Sequence, residues 1–143
     1  MVGQYVSIAE QKGITLQAIS SGALVVADEY RLVQILNNMV SNAIKYSPPN
    51  TITTLYTDLR DDDYFVCVRD QGPGIPTHEQ ESLFERFQRG SNNPTADETS
   101  SGLGLWIVRE MAEQQKGVVG VECPAEGGSV FWVRLPVVIT AGV

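Results

Sequence analysis

Asn38, Asn42 and Lys45 stand at spacings of four and three in a segment whose apolar residues Leu32, Ile35, Leu36, Met39, Val40, Ala43 and Ile44 recur with helical period. With Arg31 and Gln34 they place a polar stripe, including two amides and an ammonium, on one face of that helix. Asparagine is a poor helix former, because its amide competes for backbone groups. Asn37, Asn38 and Asn42 in mid-helix therefore work against local propensity, and conflicts of that kind tend to mark sites. A neutral side-chain oxygen suits a magnesium ion that keeps several waters and takes its other ligands from phosphates, which makes Asn42 the candidate metal ligand. Taken alone, amides of this kind more often mark a solvated helix face or cap a neighbouring strand.

Two glycine-bearing clusters add to this stripe. Asp70-Gln71-Gly72-Pro73-Gly74-Ile75-Pro76 directly follows a strand-like run, where chain reversal and close backbone approach both call for glycine. An ionised Asp70 there can accept from an exocyclic amine, which adenine presents where guanine carries an oxygen, so it would select adenine by penalising the wrong base. By itself Asp-x-Gly-x-Gly also describes a tight turn. In Ser100-Ser101-Gly102-Leu103-Gly104-Leu105 a polar loop runs into a helix start, whose unpaired amides and partial positive charge suit phosphate. The cluster is neither a P-loop, which needs Gly-Lys-Ser/Thr, nor a dinucleotide fingerprint, which needs a third glycine directly after a strand.

The elements that must carry these residues follow from patterning. Residues 2–11 read as a helix end closed by Lys12-Gly13, followed by strand-like runs Ile14–Ile19 and Ala23–Ala27 around Ser20-Ser21-Gly22. Asp28 offers an N-cap to the first long helix, which Ser47-Pro48-Pro49 stops. Thr51–Leu59 and Tyr64–Asp70 form a hairpin rich in β-branched and aromatic residues. A second helix is expected over Thr77–Phe87, then a long polar stretch from Gly90 to Ser101 of the kind that is usually functional or mobile. Gly102 opens a third helix, which carries Leu103, Trp106, Ile107, Val108, Met111 and Ala112 inward and ends near Lys116-Gly117. Val118–Cys123 and Ser129–Leu135 close the chain as a strand pair. The expected fold class is α/β (α+β): a two-layer sandwich with a mixed sheet of about five strands covered on one face by three helices.

Composition bounds the function. A chain of 143 residues fits one domain with a real core. Ten Lys+Arg against seventeen Asp+Glu give a net charge of −7 with no basic run, which disfavours nucleic acid. No apolar stretch approaches the length of a membrane span, and a basic-then-apolar leader is missing from the N-terminal residues, so a soluble, unexported, cytoplasmic domain is expected. Cys67 and Cys123 lie far apart with no CxxC, which points to buried reduced thiols rather than zinc.

In this order, the clusters resemble the catalytic ATP-binding domain of sensor histidine kinases, a branch of the Bergerat-fold (GHKL) ATPases. Arg31 to Pro48 looks like the family's asparagine box, Asp70–Ile75 its first glycine box, Leu83-Phe84-Glu85-Arg86-Phe87 its phenylalanine box, and Ser101–Leu105 its second glycine box. Gly127-Gly128-Ser129-Val130-Phe131 through Leu135-Pro136 is similar to the closing strand.

The resemblance implies that Asn42 holds magnesium, that Asn38 orients the reacting group near the γ-phosphate, that Lys45 reaches phosphate and that Tyr46 lines the base pocket. It further implies that Asp70 binds the adenine amine, that Gly72, Gly74 and Ile75 form the pocket wall, and that Ser129 supports Asp70 through its hydroxyl. Ser101, Gly102, Leu103, Gly104 and Leu105 would close over the phosphates. Phe84 and Phe87 would anchor residues 88–101 as an ATP lid, with Arg89 at its root a γ-phosphate contact. The cofactors implied are ATP and magnesium, and the reaction implied is γ-phosphoryl transfer to a histidine.

That histidine would come from a dimerisation hairpin with no counterpart in these residues, since His78, the only histidine, follows the first glycine box. Residues 1–12 are expected to be the tail of the connection to that hairpin, 13–143 the catalytic domain, and the fragment a monomer that does not phosphorylate itself. A response regulator would be the downstream partner. Two alternatives stay open: another ATPase or an anti-sigma-type serine kinase of the same fold, and a degenerate nucleotide-binding or scaffolding domain. Ser100, standing where many members carry the box's first glycine, is the feature that favours the last.

Overall fold

A computed structural model of the chain describes residues 9–19, 29–60, 63–85 and 104–136. Residues 9–12 are helical, and Gly13, at φ +82°, turns the chain into β1 (Ile14–Ile19). Helix α1 (Glu29–Tyr46) leads to the hairpin of β2 (Thr51–Arg60) and β3 (Asp63–Asp70). The single turn α2 (Thr77–Gln80), helix α3 (Gly104–Glu113) and strands β4 (Val118–Glu122) and β5 (Ser129–Pro136) follow. The strands make one sheet in the order β1-β2-β3-β5-β4. β1 pairs parallel with β2, and the other pairs are antiparallel. Parallel neighbours need a crossover, and α1 supplies it.

The sheet buries one face. Alternate residues Tyr64, Val66 and Val68 of β3 and Phe131, Val133 and Leu135 of β5 enter the core together with Leu55 of β2. Against them α1 sets Ile35, Met39, Val40, Ala43 and Ile44, and α3 sets Val108 and Ala112. The i, i+4 spacing of Ile35, Met39 and Ala43 gives α1 the apolar stripe that leaves Asn38, Asn42 and Lys45 on another face. Phe84 is buried edge-on against Phe131, ring centroids 6.4 Å apart, which fastens the segment after α2 to the sheet.

Three expectations need correction. The second helix is one turn, not eleven residues: after Gln80 the chain continues in turns closed by short-range bonds such as Glu85 N to Ser82 O. Val108, Met111 and Ala112 face the core as expected, but Leu105 packs on it where Trp106 and Ile107 were expected to, because the inward stripe of α3 is 105, 108, 111 and 112. The helical run of α3 closes near Lys116-Gly117 as expected: Lys116, at φ +62°, takes the left-handed cap, with Lys116 N bonding Glu113 O and Gly117 N bonding Ala112 O. Gly117 is required for a different reason: a Cβ there would lie 2.6 Å from Arg134 O. Lastly, Cys67 is buried as expected but Cys123 is exposed. Residues 23–27, the cap Asp28 and the loop 90–101 lie outside the described residues.

Candidate nucleotide site

Asp70 ends β3 directly opposite Ser129, the first residue of β5. Asp70 is 4% exposed, and its carboxylate Oδ1 accepts from Gly72 N at 2.9 Å and Ser129 N at 3.2 Å. Among the described residues its hydrogen bonds all fall on Oδ1, so Oδ2 is left for an incoming donor. Burial pushes the Asp70 pKa up, and the two amides hold it back down. Ser129 thus supports Asp70 through its backbone N–H, where its hydroxyl was expected to do so.

The turn after Asp70 is shaped by close approaches. A Cβ on Gly72 would come within 3.0 Å of Tyr46 O, the end of α1. Gly74 stands at φ +79°, facing Gly128 O, and Gly128, also at φ +79°, would carry a Cβ only 2.2 Å from Asp70 O. Gln71 Oε1 accepts from Ile52 N at 2.7 Å, tying the turn to β2. Ile75 packs on the core, its N–H donating to Cys123 Sγ at 3.3 Å and its carbonyl accepting from Gln80 Nε2 at 3.0 Å. The β3–α2 turn, the β4–β5 turn and the end of α1 therefore come together around Asp70.

Asn38, Asn42, Lys45 and Tyr46 are all half-buried along the last turns of α1. Asn38 Nδ2 donates to Gln34 O at 2.7 Å, which leaves its Oδ1 toward α3: a Cβ on Gly104 would lie 3.4 Å from it. The side chain of Asn42 makes no hydrogen bond to another described residue. A half-buried amide oxygen with no protein partner fits a magnesium ion whose remaining ligands are water and phosphate. Gly104 and Leu105, at the start of α3, complete the described part of the site, while Arg89, Ser101, Gly102 and Leu103 lie outside the described residues.

Sequence reasoning missed Gly128, Gln71, Gln80 and Cys123. The Gly127-Gly128 doublet carried a readable signal, since both residues take positive φ. Nothing in the sequence relates Cys123 to Ile75, whose contact exists only because β4 and α2 meet at one end of the sheet.

A buried carboxylate with one free oxygen, a glycine-lined turn and amides on a facing helix define a purine-nucleotide-binding domain of the two-layer α/β class. Comparison with known proteins narrows the class: residues 27–139 match the model of the histidine kinase-, DNA gyrase B- and HSP90-like ATPase family, and the chain belongs to that family. It is 38% identical over 121 residues to the sensor-like histidine kinase SenX3 of Mycobacterium tuberculosis, spanning 85% of this chain and 30% of that protein. The chain is thus similar to a little under one third of its curated relative. Among solved structures it superposes on the mycobacterial sensor histidine kinase MprB with a TM-score of 0.82, at 27% identity, covering 95% of this chain and 92% of that one. Full-length ShkA, solved in complex with AMPPNP, gives a TM-score of 0.83 at 30% identity, covering 98% of this chain and 29% of that one. The fold, the mixed five-stranded sheet with helices, is that of histidine kinase catalytic domains, and the chain is an ATP-binding catalytic domain of that kind.

Proposed function

We propose that this chain binds Mg-ATP between α1, the Asp70–Ile75 turn and the start of α3, and transfers the γ-phosphoryl group to a histidine on a separate dimerisation hairpin. The observation that carries the reading is Asp70: a buried carboxylate with Oδ1 held by two amides and Oδ2 left over. That oxygen would accept the adenine amine, and guanine would meet it with a carbonyl and be rejected. Gly72, Gly74 and Ile75 form the wall along the base, Tyr46 lines its other side, and Ser129 N fixes the carboxylate.

Asn42 would hold a magnesium ion, which would supply charge neutralisation on the phosphates. Lys45 reaches the phosphate chain, and Ser101, Gly102, Leu103, Gly104 and Leu105 offer it backbone amides, with Arg89 as a further cation. Asn38, whose Oδ1 lies toward Gly104, would orient the attacking imidazole beside the γ-phosphate. In the transfer the imidazole nitrogen forms a bond to phosphorus as the bond to the β,γ-bridging oxygen breaks, ADP leaves, and the imidazole N–H proton is given up. Catalysis of this kind is positioning plus charge stabilisation, so a domain of net charge −7 can bind a polyanion where amides and metal set the local field.

In the whole protein a response regulator would take the phosphoryl group onward, and a cytoplasmic setting follows from the ATP requirement. Among the described residues no helix is long and apolar enough to cross a membrane.

The test is a calorimetric titration with a non-hydrolysable ATP analogue, with and without magnesium, beside the matching GTP analogue. Magnesium-dependent binding of the adenine analogue alone supports the site, whereas a folded sample that binds neither nucleotide overturns it. Supplied with a hairpin, the chain should yield an acid-labile, base-stable phosphohistidine. Label that proves acid-stable on serine would reassign the reaction to a serine kinase of the same fold.

A further inference from the structure

A helix leaves its last four carbonyls without intrahelical partners, and at the end of α1 these lie beside the nucleotide site. Ala43 O accepts from both Ser47 N, at 3.1 Å, and Ser47 Oγ, at 2.7 Å. Ile44 O and Lys45 O accept from the Nζ of Lys12, at 2.6 and 2.9 Å. Tyr46 O lies against the face of Gly72 where a Cβ would come within 3.0 Å. The carbonyls that hold the shape of this turn thus depend on a residue far away in the chain.

Lys12 belongs to the helical stretch 9–12, which is itself fixed: Ala9 is 1% exposed in the core, and Gly13 O accepts from Asn50 N at 2.6 Å. An ammonium at a helix C-terminus also meets the negative end of the dipole, and its bonds to carbonyls are charge-assisted. Two of the candidate nucleotide contacts, Lys45 and Tyr46, occupy the turn it grips. The Tyr46 carbonyl abuts Gly72, whose N–H donates to Asp70 Oδ1.

We infer that Lys12 is a positioning residue for the nucleotide site, setting where the end of α1 stands relative to the Asp70–Gly72 turn. This rests on the reading of that site as a nucleotide pocket. Release of Lys12 frees two carbonyls, loosens the last turn of α1 and removes the stop against which Gly72 packs. Whatever moves residues 9–12 therefore alters nucleotide affinity, and by linkage a bound nucleotide holds residues 9–12 in place.

The 143-residue chain with Lys12→Ala, Lys12→Arg and Lys12→Gln tests this, with AMPPNP and magnesium as the probe and Asp70→Asn as the control. Affinity, the urea midpoint and hydrogen exchange at the Gly72 amide are measured together. We expect a five- to twentyfold weaker Kd in Lys12→Ala, recovery in Lys12→Arg, and faster Gly72 exchange in the folded Lys12→Ala protein. If Lys12→Ala fails to fold, Lys12→Gln, whose amide can still donate, must show an intermediate loss. A lowered midpoint with unchanged Kd and unchanged Gly72 exchange makes Lys12 a structural anchor only and overturns the inference. Binding that is absent in the wild type overturns the pocket reading and the inference with it. Binding that is lost in Asp70→Asn but untouched by any Lys12 variant overturns the inference alone.

Discussion

Replacing Asp70 by asparagine separates the cost of burying a carboxylate from its value in binding. Asparagine keeps an acceptor where Oδ1 receives Gly72 N and Ser129 N, so the turn and the end of β3 retain their hydrogen bonds. It puts an amide NH2 where Oδ2 would meet the adenine amine, so a charged hydrogen bond is exchanged for two facing donors. Hydrogen bonds to charged groups are worth about 1.5–3 kcal/mol, which predicts roughly ten- to hundredfold weaker ATP binding.

Stability moves the other way. Burial raises the Asp70 pKa above its ordinary 3.8, so the folded state binds the proton more tightly than the unfolded chain. The favourable contribution is complete below 3.8 and is lost as pH rises through the folded value, and Asp70→Asn lacks that loss. At neutral pH the variant should therefore unfold at an equal or higher urea concentration while binding ATP far more weakly. Wild-type affinity should fall as pH drops through the raised pKa, and the variant's should not. Calorimetry across pH, paired with urea titrations, reads both. Unchanged affinity in a folded variant, or a loss of affinity matched by a loss of stability, would refute the assignment of Asp70 to the base.

Asn42→Ala is expected to abolish the magnesium dependence of ATP-analogue binding while leaving adenosine binding nearly intact. Equal magnesium dependence in variant and wild type, measured by the same titration, would remove Asn42 from the metal. Gly128→Ala is expected to cost more than about 2 kcal/mol in urea unfolding, since it adds left-handed strain to a contact against Asp70 O. A near-neutral effect would mean the β4–β5 turn adjusts freely. Ile35→Ala, at a fully buried position on the inner face of α1, should cost about 2–5 kcal/mol by leaving a cavity, with little change in nucleotide affinity near 20 °C.

Where the sequence could be read, the reason was periodicity or backbone chemistry. The apolar stripe of α1 and the Pro48-Pro49 stop defined that helix to its last residue, Tyr46. Alternation and β-branched residues located β2, β3 and β5 within a residue or two. The segment after Thr77 misled, because a few helix-favouring residues there are pinned as turns by the buried Phe84 and its contact with Phe131. The end of α3 near Lys116-Gly117 was legible, but the reason Gly117 must be glycine is the approach of β5, which the local sequence does not contain.

The sequence by itself determined the class of protein, because the asparagine, glycine and phenylalanine boxes that carry its resemblance are residue types at set spacings, which the chain alone displays. It also determined the helix that presents Asn38, Asn42 and Lys45 on one face, since a 3.6-residue period is a local property. Only the tertiary structure decided what each of these touches. Asp70 is held by the Ser129 amide because β3 and β5 pair in register, and Ile75 is held by Cys123 because two turns converge at one end of the sheet. Lys12 reaches the end of α1 because the parallel pairing of β1 with β2 returns residue 14 beside residue 51. Contacts between segments so distant in sequence are set by sheet order and register, which no local pattern encodes.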